Sequence, residues 1–171
     1  MSAVIEIQGL RVDRAGQTIC QLKAFRLEPG ERIAILGANG SGKTTLLLEC
    51  LDLLDDPILL APTHAAADTL RSSGRRVATV EHFLRSRTGL PPGKSVVIDE
   101  FFMLPINALQ RLAAFDLAGV AGSIHWIIVG DVHQLPPVSS FFLGCEISIP
   151  EVAESQLLGR MAPRRATLQI C

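Results

Sequence analysis

The run G-A-N-G-S-G-K-T-T over residues 37–45 sets glycines, a lysine and two threonines at the spacing G-x-x-x-x-G-K-[ST]. Glycines let a backbone curl until successive N–H groups converge on an anion. Gly37, Asn39, Gly40, Ser41 and Gly42 are therefore expected to wrap phosphate groups, and a helix starting near Gly42 adds its positive end. Lys43 would carry a cation to the β- and γ-phosphates. The Thr44 hydroxyl suits Mg²⁺, which takes few protein ligands beside phosphate oxygens, and Thr45 is expected among the nucleotide-binding residues. The expected cofactors are ATP, or a close relative, and Mg²⁺. A chance loop could match the spacing, but this one follows an apolar strand and precedes an apolar helix.

A second group of chemically capable residues is V-V-I-D-E at 96–100, an apolar strand ending in two carboxylates. Asp99 can hold the Mg²⁺ shell, and Glu100 can orient and deprotonate an attacking water. A solvated acidic turn would look the same in isolation. The phosphate loop upstream favours the catalytic reading.

Positioning these residues requires strands that end where they stand. Apolar runs and turn residues predict strands at 4–7, 18–27, 32–36, 58–60, 77–80, 96–98 and 126–129. Helices are predicted at 44–54, 64–71, 81–87 and 106–115, a turn at Pro29-Gly30 and a loop at 89–93. Residues 166–170 have the pattern of a last strand in short form. The strands around Ile33, Ile58, Val96 and Ile127 are short, continuous and apolar, with helices between several of them. That is the signature of an α/β fold, a parallel sheet covered on both faces. Right-handed crossovers then bring the carboxyl ends of the strands to one edge, where such sheets bind ligands. The glycine loop, Thr63, Asp99, Glu100 and Asp131 all fall at that edge.

The 171 residues fit one domain: a β element over 1–30, the core over 31–138, and a tail over 139–171. Hydrophobic residues make up 48% and charged residues 19%, which argues for a packed core and against disorder. A net charge of −1 means that nucleic acid could be held only by a local basic patch. Cys20, Cys50, Cys145 and Cys171 are scattered without metal spacing and read as thiols in a reducing cytosol. His64, His82, His125 and His133 read as surface or core histidines. The apolar stretch 46–60 is broken by Glu49, Asp52, Asp55, Asp56 and Pro57, too charged to span a bilayer. A soluble, cytoplasmic chain without direct membrane insertion is expected.

Four further segments extend the pattern. A-P-T-H-A-A-A-D-T-L at 61–70, T-V-E-H-F-L at 79–84, V-I-D-E-F-F-M-L at 97–104 and G-D-V-H-Q-L-P-P-V at 130–138 occur in this order. They resemble motif Ia, the small motif after it, motif II and motif III of superfamily 1 helicases of the RecD-like and viral type. The likeness spans residues 33–138 and covers the first RecA-like core domain. It implies a three-layer RecA-like sheet and an ATPase coupled to single-stranded DNA or RNA. Gln134 would sense the γ-phosphate and Asp131 would support the metal and water network. Thr63 and His82 would touch the strand backbone, and Pro136 and Pro137 would stiffen the turn carrying Gln134. Thr63 reads equally as the cap of the helix at His64. Arg71, Arg75, Arg76, Arg85 and Arg87 lie near these segments, either as a phosphate track or as a solvated face. Phe83, Phe101 and Phe102 are the nearby aromatics, the last two being core candidates.

Two departures qualify the likeness. The likeness covers one RecA-like domain, so a second domain or subunit is expected to supply the arginine finger, and these residues alone are expected to form a slow ATPase, as a fragment, a degenerate relative or one half of an assembly. Arg160, Arg164 and Arg165 read as part of a surface tail. The segments at 4–12, 27–37 and 39–47 are, in turn, similar to the start of ATP-binding cassette proteins. They imply an alternative: a cassette-type ATPase subunit acting as a dimer with a membrane or other partner. Against it stand the absence of L-S-G-G-Q and of a glutamine loop, and the short interval between Thr45 and Val96. Phe25 is the nearest base-stacking candidate. A non-catalytic nucleotide switch is the third class, opposed by Lys43, Asp99, Glu100 and Gln134.

Overall fold

The structure, a computed structural model, describes residues 3–14, 16–86, 93–118, 124–134, 141–142, 145–146 and 149–168. The chain opens with β1 (Ile5–Arg14) and β2 (Gln17–Leu27), an antiparallel pair whose register runs from Ile5↔Leu27 to Arg14↔Gln17 with an irregularity between Val12 and Asp13. Both strands outrun their predicted lengths, because their polar outer positions and Gly9 dilute the apolar alternation.

The remaining strands are β3 (Arg32–Gly37), β4 (Ile58–Ala61), β5 (Val77–Thr79), β6 (Ser95–Ile98), β7 (His125–Gly130), β8 (Phe141–Phe142), β9 (Cys145–Glu146) and β10 (Arg164–Leu168). The helices are α1 (Lys43–Asp52), α2 (His64–Arg71), α3 (Val80–Ser86), α4 (Ile106–Ala118), α5 (Ile149–Glu154) and α6 (Gln156–Met161). Six strands form one sheet in the order β10-β3-β7-β6-β4-β5, and every pairing in it is parallel. β8 and β9 pair separately.

Alternation along the central strands divides the core in two, as a pleated strand buried on both faces requires. Ala34, Leu60, Val96, Ile98, Trp126 and Ile128 face a layer built by α3, α4, α5 and α6. Ile33, Ile35, Leu59, Val97, Ile127 and Val129 face α1 and α2, joined there by Ile5, Cys20, Phe25 and Leu27 of the hairpin. The result is the expected three-layer α/β sheet with a small antiparallel element beside it.

Differences from expectation concentrate at the carboxyl end. Residues 164–168 are an edge strand paired in register with β3, Arg164↔Ile33 through Leu168↔Gly37. Arg164 is fixed there by bonds to Arg26 O (2.5 Å) and to the Glu31 carboxylate (2.9 and 3.0 Å), so it belongs to the sheet edge and not to a tail. Arg160 lies on α6. Most of the predicted loop at 89–93 falls outside the described residues. No helix among the described residues is long and apolar enough to cross a membrane.

Candidate functional site

The phosphate loop leaves β3 at Gly37. A Cβ there would collide with Ser41 Oγ and lie 2.8 Å from the Leu168 carbonyl, so the edge strand and the loop pack too closely for any other residue. Gly40 and Gly42 adopt φ of 84° and 83°, the left-handed region that glycine enters without strain. Gly42 caps α1 without a side-chain bond, and no acidic residue stands in the first turn. The first N–H groups of the helix are thus left for an anion. Ser41 is 2% exposed and its hydroxyl has no hydrogen-bond partner among the described residues. A buried unpaired hydroxyl costs about 1–3 kcal/mol, a penalty that a bound phosphate oxygen would remove.

Lys43 folds back over the loop and donates from Nζ to Gly37 O and Ala38 O, both at 2.7 Å. Burial pulls its pKa down, while Asp131, Asp99 and Glu100, in that order, act to hold the proton on. These carboxylates line the same cleft as Lys43 although they come from the ends of two strands. β6 delivers Asp99, whose N–H donates to Leu60 O at 3.1 Å and whose Oδ1 accepts from Glu100 N at 2.9 Å. Burial raises the Asp99 pKa to about 6; the Glu100 N–H bond opposes the rise, the Glu100 charge adds to it and Lys43 opposes it.

Glu100 itself has φ 51° and ψ 39°. A side-chain-bearing residue in this region carries roughly 1–3 kcal/mol of strain, of a kind that persists only where the surroundings enforce it. The enforcing element is a single 3-10 turn, Phe101–Met103, whose two phenylalanines are 0% and 2% exposed. β7 ends beside it and delivers Asp131, buried, with Oδ1 accepting from His133 N at 2.9 Å. Gln134 follows, its N–H donating to Asp131 O at 3.3 Å. Asn39, Gly40, Gly42, Lys43, Thr44, Thr45, Asp99, Glu100, Gly130, Asp131 and Gln134 line one cleft of about 320 Å³. Pro136 and Pro137 lie outside the described residues.

The residues expected to meet a nucleic-acid strand are only partly brought together. A groove of about 520 Å³ at the β5 side is lined by His64, Arg71, Val77, Ala78, Thr79, Glu81, His82 and Arg85. Thr63 adjoins it and caps α2, its Oγ1 accepting from Ala66 N at 3.1 Å. Arg71 is spent on Val77 O (2.7 and 3.1 Å) and Asp68 (2.6 Å). Arg75 pairs with Asp52 at the end of α1, and Arg85 pairs with Glu81 at 2.9 Å. Arg75 and Arg76 are not among the groove's lining residues. Arg87 lies outside the described residues. Phe83, Phe101 and Phe102 are all buried, so none presents a face to a base.

The histidines divide as expected. His125 is a core residue whose Nδ1 lies 3.3 Å from Ser95 Oγ and whose pKa burial lowers, while His64, His82 and His133 are exposed. No group of three metal-ligating side chains occurs among the described residues. Cys20 and Cys50 are buried, and burial first, with the Glu49 charge behind it, pushes the Cys50 thiol to about 12. The contact that sequence reasoning missed is that of Gly130 with Phe102; a glycine at a strand end, one residue before an acid, was its sole signal.

A glycine loop between a buried strand and a helix, facing strand-end acids across a cleft, defines a P-loop nucleoside triphosphatase domain. The chain belongs to the AAA domain family, whose model matches residues 20–141. It is similar to the cytochrome c biogenesis ATP-binding export protein CcmA of Brucella abortus, 30% identical over 125 residues that cover 68% of this chain and 54% of that protein. The methionine import ATP-binding protein MetN of Chlamydia abortus is 29% identical over 129 residues, 73% of this chain and 38% of that one. Among solved structures, one of Pif1 helicases unwinding forked double-stranded DNA aligns with a TM-score of 0.58 at 20% identity. It covers 82% of this chain and 40% of that one, and supports the fold alone. The chain thus spans about half or less of the length of these relatives. Both resemblances read from the sequence, to helicases and to cassette ATPases, are found among them.

Proposed function

We propose that the chain binds Mg-ATP in the 320 Å³ cleft and hydrolyses it. We further propose that it couples the nucleotide state to single-stranded DNA or RNA, as the first core domain of a helicase or translocase. The observation that carries the ATPase reading is the convergence of Lys43, Asp99, Glu100 and Asp131 on one cleft beside the loop. Lys43 exchanges its two loop carbonyls for β- and γ-phosphate oxygens. Ser41 and the start of α1 hold the same oxygens. Thr44 and Asp99 line the cleft together and are hard oxygen donors, few in number, which fits Mg²⁺. When bound, that ion neutralises phosphate charge. Glu100 accepts a proton from water as the water oxygen bonds to the γ-phosphorus and the bond to the bridging oxygen breaks. Gln134 reports whether the γ-phosphate is present.

The coupling reading rests on the groove at α2, α3 and β5. His82 lines it and stands exposed, and exposed Thr63 precedes the lining residue His64. A second RecA-like domain or subunit would add an arginine to the open cleft. The test is steady-state ATP hydrolysis by the chain, with and without a single-stranded oligonucleotide, at low and moderate salt. Stimulation that weakens with salt is expected; turnover indifferent to the oligonucleotide at both salts would remove the coupling.

The hairpin packed on the α1 face, with relatives such as CcmA and MetN, supports a second reading. In it a cassette-type subunit sandwiches ATP between two copies and meets a membrane or other partner. That reading requires turnover to rise steeply with protein concentration and to ignore the oligonucleotide.

A further inference from the structure

We propose that Phe102 is a positioning residue: its ring, seated against the backbone of Gly130, sets the spacing between Glu100 and the Asp131–Gln134 segment. The inference rests on Glu100 being the base and goes beyond it, because Phe102 does not line the cleft. Three observations carry it. A Cβ on Gly130 would lie 2.6 Å from Phe102 Cδ2 and 3.0 Å from Cε2, so ring and strand touch where no side chain fits between them. The ring is 2% exposed and stands edge-on to Phe101, centroids 5.5 Å apart at 87°, so it cannot swing away without disturbing the core. Finally, the same two residues bracket the acids: Glu100, in its left-handed conformation, lies two positions before Phe102, and Asp131 one position after Gly130.

β6 and β7 are hydrogen-bonded neighbours only as far as Ile98↔Ile128. Beyond that pair the two strand ends carry the acids with no further ladder bond between them. Contact of the ring with Gly130 takes over the role of the missing pairing. A base held within about 0.5 Å of its working position needs such a support, and a 1 Å displacement can cost about a hundredfold in rate.

The experiment is a size exchange in the full chain. Phe102→Val removes the ring, Gly130→Ala pushes against it, and the double variant gives the added methyl part of the vacated space. Single-turnover hydrolysis, affinity for a fluorescent ATP analogue and melting temperature are read for each. Leu112→Val, a core change on α4 in the same apolar cluster, controls for lost stability. The expected result is a fall in hydrolysis of about tenfold to a hundredfold in each single variant, with nucleotide affinity within about twofold in Phe102→Val, whose side chain does not line the cleft, and at least partial recovery of rate in the double variant. The control should lose melting temperature but not rate. Should Phe102→Val melt like the control and hydrolyse at the parent rate, Phe102 is packing alone and the proposal is overturned. If Gly130→Ala does not fold, Phe102→Leu and Phe102→Val decide the matter by whether rate and stability separate. Glu100→Gln is run in parallel: surviving turnover there refutes the base, and it does so independently of any exchange between Phe102 and Gly130.

Discussion

At the scale of single residues, the site depends on two charges whose surroundings oppose them. Lys43 already holds two carbonyl oxygens at 2.7 Å, so binding exchanges these bonds for stronger ones to charged phosphate. Hydrogen bonds to charged groups contribute about 1.5–3 kcal/mol each, so Lys43→Ala should weaken ATP binding at least a hundredfold, measured by calorimetry. Asp99 supplies a pH dependence. Its pKa is about 6 in the folded chain against 3.8 for the free group. Between these values the folded state takes up a proton that the unfolded state does not, so from this group alone the nucleotide-free chain gains stability as pH falls from 6 towards 4. Metal-nucleotide binding runs the other way, because it needs the ionised carboxylate and must expel that proton. Affinity for Mg-ATP should fall as pH drops through 6, by up to about tenfold per unit. Asp99→Asn, titrated over the same range, subtracts the nucleotide's own protonation; a parent profile parallel to it would refute the assignment.

At the scale of elements, legibility followed burial. β3, β4, β6 and β7 are buried runs of four to six residues, and their apolar letters reveal them. The strand-end positions of Asp99, Glu100 and Asp131, and that of Lys43 at the start of the helix after β3, could then be read directly. β10 was legible only as a short pattern over 166–170, displaced from its true span, because its residues run exposed, exposed, intermediate, exposed, intermediate, and no apolar run marks an edge strand of that kind. The arginine cluster was legible as letters only. Whether Arg75 meets phosphate or Asp52, 23 residues away, is decided by how α1 lies beside α2, which spacing does not encode. Of the two roles read for Thr63, the structure shows the helix cap, and contact with a strand belongs to the proposed coupling. Thr63→Ser keeps an oxygen for the Ala66 N–H, whereas Thr63→Ala removes it and should cost about 1 kcal/mol of stability by denaturant unfolding. If the cap is its whole role, Thr63→Ala will leave oligonucleotide stimulation intact once stability is allowed for. The coupling reading expects that stimulation to be lost.

At the scale of the molecule, the cleft stands at the open edge of the sheet, and what closes it separates the two functional readings. An ATP held between two copies of this chain would link nucleotide binding to dimerisation, because each bound nucleotide would contribute contacts available only in the dimer. A variant that binds ATP but cannot consume it isolates that linkage. Glu100→Gln keeps the shape and polarity of the side chain while removing the proton acceptor, so binding should persist as turnover falls by about a hundredfold or more. Among the described residues the large apolar side chain that stands well exposed is Leu53, at 49%, which provides little surface for self-association. The expected result for Glu100→Gln with Mg-ATP is therefore a monomer in sedimentation at roughly tens of micromolar chain. The loading with nucleotide should remain available to a separate closing domain. A shift to dimer that appears with ATP and vanishes with ADP would reverse the order of the two readings and place the second copy where the helicase-type reading places a second domain.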